Sequence, residues 1–104
     1  MYKWPIEEQC GYHPITTFWE DFSIADAFGT SAVKDTYKRA FDNWKTDYKY
    51  LTELVMVLNW KIWQWYERNP ALGELYNELW QKADEWACTN LTGEALNYFY
   101  ETTD

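Results

Sequence analysis

A chain of 104 residues, 47% apolar and 25% charged, is one domain's worth: it is long enough to bury about 65% of the surface its unfolded form exposes, and too short for a substrate domain plus a cofactor domain. Three Pro and four Gly are too few for a linker or disordered tail. A net charge of −8, from 17 acidic against 9 basic residues, disfavours binding to free DNA or to anionic lipid.

In residues 1–16, Pro5 and Pro14 disfavour helix at the preceding Trp4 and His13, so this stretch reads as an extended arm. Its Tyr2, Trp4, Ile6, Tyr12 and Ile15 are apolar enough to predict packing over the rest of the chain. Thr17-Phe18-Trp19-Glu20 is a capping box and predicts a first helix that stops at Gly29. Thr30 or Ser31 caps a second, whose Val33, Tyr37, Ala40, Phe41 and Trp44 form one stripe at helical period. The stripe stays in phase through Tyr48, Leu51, Val55, Leu58 and Ile62, but Lys45-Thr46-Asp47 offers a capping Asp and predicts a break there.

From Tyr48 to Tyr66 apolar side chains fall on nearly every side of the wheel, the pattern of a central helix packed by several neighbours. Asn69-Pro70 stops that helix and starts the next, with Asn69 as cap and Pro70 at the first helical position. Leu72, Leu75, Tyr76, Leu79, Ala83, Trp86 and Ala87 then keep helical spacing to about residue 89. Thr92 caps a short last helix, with Leu91 placed to staple onto Leu96. No run of alternating β-branched residues reads as a strand. The expected fold is all-α: one domain over 1–104, a compact bundle of four to five helices with an extended aromatic arm at 1–16.

The first residues lack the apolar run of a secretory signal, and the longest uninterrupted apolar run, Leu54 to Leu58, falls far short of the ~20 residues of a membrane span. A cytoplasmic protein is expected, with Cys10 and Cys88 as reduced thiols. Cys10-Gly11-Tyr12-His13 has the spacing of half a zinc site and Cys88 offers a third ligand, but no second Cys/His pair exists. Neither a metal nor any other cofactor is expected. His13 is the only histidine, Ser23 and Ser31 the only serines, and no Gly-rich phosphate loop occurs. An enzyme is not expected.

Charge is unevenly spread: residues 1–29 sum to −4, 30–69 to +2 and 70–104 to −6. Lys34, Lys38, Lys45 and Lys49 make a basic stripe that reads as a solvated face or as an anion-binding surface. Glu74, Glu78, Asp84 and Glu85 load one flank of the fourth helix, an acidic surface able to occupy a partner's basic groove. Trp60, Trp63 and Trp65 cannot all face one core. With Lys49, Glu53 and Gln64 taken as markers of the wet side, Met56 and Trp60 share that side, where they are either candidate partner contacts or side chains covered by the N-terminal arm.

The segment from Tyr50 to Trp63, YLTELVMVLNWKIW, and the ending YFYETTD, Tyr98 to Asp104, resemble a group of short acidic uncharacterised proteins of phages and mobile elements of anaerobic bacteria. The resemblance implies a genomic context in which inhibitors of host defence, anti-CRISPR proteins among them, are frequent. It carries no site residues. The leading expectation is a non-catalytic protein-binding module, an inhibitor of a host nuclease in its sharpest form, that presents acidic flanks to a basic partner surface. Two other readings stand beside it: capture of a nucleotide or other small ligand by the Lys stripe and stacked aromatics, and a structural homo-oligomer whose interface uses the surplus aromatic residues.

Overall fold

The computed structural model describes residues 14–103, which form five helices and no strand. They are α1 (Pro14–Phe28), α2 (Thr30–Trp44), α3 (Tyr48–Trp65), α4 (Pro70–Asn90) and α5 (Gly93–Thr103). Expectations placed on residues 1–13, including the packing of Tyr2, Trp4, Ile6 and Tyr12 and the Cys10/His13 pair, lie outside the described residues.

Helix α1 begins at Pro14, earlier than the capping box at Thr17 suggested. Residues 14–16 therefore belong to the helix and not to an extended arm. At the other end one residue, Gly29, separates α1 from α2, with φ at +111°, a value that L side chains rarely adopt. Gly29 is itself the N-cap of α2 and no side chain caps it, so Thr30 and Ser31 sit inside the helix instead of capping it.

The break between α2 and α3 lies at residues 45–47, as the capping Asp predicts. The Asp47 carboxylate accepts from the amides of Lys49 and Tyr50 at 3.2 and 3.4 Å, satisfying two of the amides that a helix start leaves without intrahelical partners. Asn69 does the same for α4, accepting from the Leu72 amide at 3.4 Å with Pro70 next in line. A turn after α3 is drawn tight at Gly73, where an added Cβ would lie 2.8 Å from the Tyr66 Cα.

Helix α3 packs against all four other helices, the arrangement expected for a helix apolar on nearly every side. Its Leu51, Leu54, Val55, Val57 and Leu58 are buried with Phe18, Phe22 and Ala25 of α1, Val33 and Ala40 of α2, and Phe99 of α5. From α4 come Leu72, Leu75, Tyr76, Leu79, Ala83 and Ala87. Every one of these α4 positions was on the expected apolar stripe; Trp86 on that stripe is partly buried, its ring edge-on to Phe41 with centroids 5.6 Å apart. No helix among the described residues is long and apolar enough to cross a membrane.

Candidate binding groove

On the side of α3 away from α1, residues of α3, α4 and α5 enclose a groove of about 430 Å³. Helical spacing builds each wall. Val55, Met56, Asn59 and Trp60 come from adjacent turns of α3; Trp80, Asp84 and Cys88 stand at i, i+4 and i+8 on α4; and Phe99, Tyr100 and Thr103 close it from α5. Trp60 is 43% and Tyr100 46% exposed, large aromatic area left facing water at the rim. The Tyr100 hydroxyl points at the exposed Cys88 sulfur, 3.8 Å away. Asp84 is half-buried, and withdrawal from water raises its pKa above the ordinary carboxylate value. Among the described residues no cation pairs with it.

Three residues singled out from sequence, Met56, Trp60 and Asp84, meet in this groove. The other three, Glu74, Glu78 and Glu85, are exposed on α4. At 100° per residue they share one stripe, and Asp84 lies about 80–120° round the helix from its members. The acids thus divide into a solvated row and one carboxylate turned toward the aromatics. Glu78 meets Lys82 at 3.4 Å, both side chains more than 60% exposed, a pair of small energetic consequence.

The basic stripe is divided by the break between α2 and α3. Lys34 and Lys38 are exposed on α2, Lys49 is exposed in the first turn of α3, and Lys45 between them lies over the Phe41 ring at 5.5 Å. Glu53 and Gln64 are half-buried, each with a buried side-chain oxygen, so they do not mark a wet face. Trp60 is nonetheless exposed, and Met56 half-buried beside it. At the C-terminal end of α3, Trp63 and the capping Tyr66 are exposed and stack edge-to-face, 5.4 Å between centroids.

A second polar constellation lies inside the bundle, where it was not anticipated. Lys61 of α3 is 0% exposed, yet its ammonium has a full set of partners: it donates to the Ser23 hydroxyl at 2.9 Å and the Asp26 carboxylate at 2.8 Å, and stands 4.1 Å from the centroid of the Trp19 ring. Asp26, its side chain 5% exposed, also accepts from the Trp65 indole N–H at 2.9 Å and from the Tyr76 hydroxyl. One carboxylate thus ties α1, α3 and α4 together. Burial, then the hydrogen bond to Asp26 and its charge, hold the Tyr76 hydroxyl far above the usual tyrosine range. The signal in the sequence was Lys61 itself: it continues the row of Leu54, Leu58 and Trp65 at helical spacing, and a lysine on a core stripe calls for a buried acid. Its partner, on the same stripe of α1 as Phe22, becomes identifiable only once the helices are docked.

No family model matches the chain, and neither a curated protein nor a solved structure matches it.

Proposed function

We propose that this chain is a non-catalytic binding protein whose contact surface is the α3–α4–α5 groove together with the acidic row of α4. The observation that carries the reading is the exposure of Trp60 and Tyr100, which line one open groove, since large aromatics left in water beside a concavity are the usual anchors of a protein contact. Glu74, Glu78 and Glu85, exposed on the same helix as Asp84, supply the charge that selects a basic partner surface. In its sharpest form the partner is a nucleic-acid-binding protein, such as a defence nuclease, whose basic groove the acidic face occupies in place of nucleic acid.

The test is capture of partner proteins by the immobilised chain at low and high salt, with and without competitor DNA. Wild type is compared with a Glu74→Gln/Glu78→Gln/Glu85→Gln variant. A partner lost with salt, with DNA and in the variant is the expected result. A partner indifferent to DNA would remove the nucleic-acid-competitor form. A nucleotide or cyclic dinucleotide that raises Tm would overturn the reading in favour of small-ligand capture.

A further inference from the structure

The contents of the groove define what kind of side chain it takes. Four aromatic residues, Trp60 of α3, Trp80 of α4, and Phe99 and Tyr100 of α5, line the same concavity as one half-buried carboxylate, Asp84, which has no cationic partner among the described residues. Elsewhere in the bundle the same combination is already satisfied: Lys61 sits over the Trp19 ring and on the Asp26 carboxylate. The groove offers a similar set of groups from outside. We propose that it is a receptor for an arginine side chain on a basic segment of a protein partner, with the guanidinium stacked on the aromatic wall and hydrogen-bonded to Asp84. This rests on the binding-protein reading above and names the chemistry that the partner must present.

Three features favour arginine. Its planar guanidinium lies flat on indole and phenol faces and presents paired N–H donors to a carboxylate, whereas an ammonium is a compact, strongly hydrated point charge. The volume of about 430 Å³ is within the range of roughly 300–1,000 Å³ that takes small ligands. The exposed Trp60 and Tyr100 leave the groove open to water, which suits a side chain entering from a larger body better than an enclosed small cation. Burial disfavours the charged form of Asp84, so a bound cation relieves that penalty and binding lowers its pKa.

The experiment uses the full chain and three probes: a short arginine-rich peptide, a lysine peptide of equal length and charge, and choline. Affinities are measured for wild type, Asp84→Asn, Trp60→Ala and the Glu74→Gln/Glu78→Gln/Glu85→Gln variant, and the Asp84 carboxyl is followed by NMR in free and bound protein. The arginine peptide is expected to bind most tightly and to weaken by about tenfold or more in both Asp84→Asn and Trp60→Ala, with Tm little changed. The Asp84 pKa is expected to fall on binding. Arginine-peptide affinity undiminished in both groove variants, or an equal response to choline, overturns the proposal. If affinity drops only in the Glu variant, the arginine site fails while the acidic-surface reading survives; if no peptide binds even at low salt, both fail.

Discussion

At the scale of single residues, the buried Lys61–Asp26 pair carries the largest individual consequences. Removing one member of a buried ion pair leaves the other charge without compensation, so Lys61→Met should destabilise the fold by about 3–5 kcal/mol in urea denaturation. A Lys61→Met/Asp26→Leu double variant should be less destabilised than the two single changes together, because neither charge is then left behind. Tyrosine titration offers a second test. Tyr37, with its pKa pushed up to about 12 by burial and by Asp42, and Tyr76, raised by burial and by Asp26, both hold their protons more tightly folded than unfolded. Their contribution to stability is therefore intact below the ordinary tyrosine pKa of about 10 and is lost as pH rises through the folded values. Absorbance titration should show two tyrosines ionising late in the native protein, and the urea midpoint should decline between about pH 10 and 12.

At the scale of elements, α3 divides into two faces that respond differently to truncation. Leu58 is fully buried, so Leu58→Ala should cost about 2–5 kcal/mol through lost transfer free energy and a residual cavity. Trp60, only two residues on, faces the groove and water; Trp60→Ala should cost about 1 kcal/mol or less. A midpoint for Trp60→Ala as low as that of Leu58→Ala would assign Trp60 to the core and remove it from the binding surface. The junction of α3 and α4 gives a sign test. Gly→Ala inside a helix ordinarily stabilises by roughly 0.5–1 kcal/mol, but at Gly73 the new methyl would meet the Tyr66 backbone at 2.8 Å. Backbone cannot swing aside as a side-chain end can, so Gly73→Ala should destabilise by about 1–3 kcal/mol in the same assay.

At the scale of the whole molecule, protection should radiate from α3. That helix touches every other helix, so its amides exchange only when most of the bundle opens. The single turn of polar backbone at residues 45–47 and the last turn of α5 open with far less loss of packing. Native-state hydrogen exchange should therefore rank α3 slowest. Comparable rates in α3 and α5 would mean that the bundle does not unfold around a central helix.

The helical class, the turns at 45–47 and 69–70, and the apolar stripe of α4 were legible in the chain because they are local properties. Periodicity, a capping carboxylate at Asp47 and the Asn69-Pro70 pair act within a few residues of themselves. The capping box at Thr17 did not mark the start of α1, since residues 14–16 are already helical. The place of Trp60 on the wheel left exposure and cover by the N-terminal arm both open, and two of the markers used, Glu53 and Gln64, are half-buried, so its 43% exposure was settled by the packing of the helices. What only the tertiary structure decided is which residues meet across helices. Asp26 and Lys61 are 35 positions apart, and Asp84 joins Trp60 and Tyr100 only through the docking of three helices. Such meetings depend on how each helix is rotated about its axis and set against its neighbours, which the whole core determines at once and no single window of sequence contains.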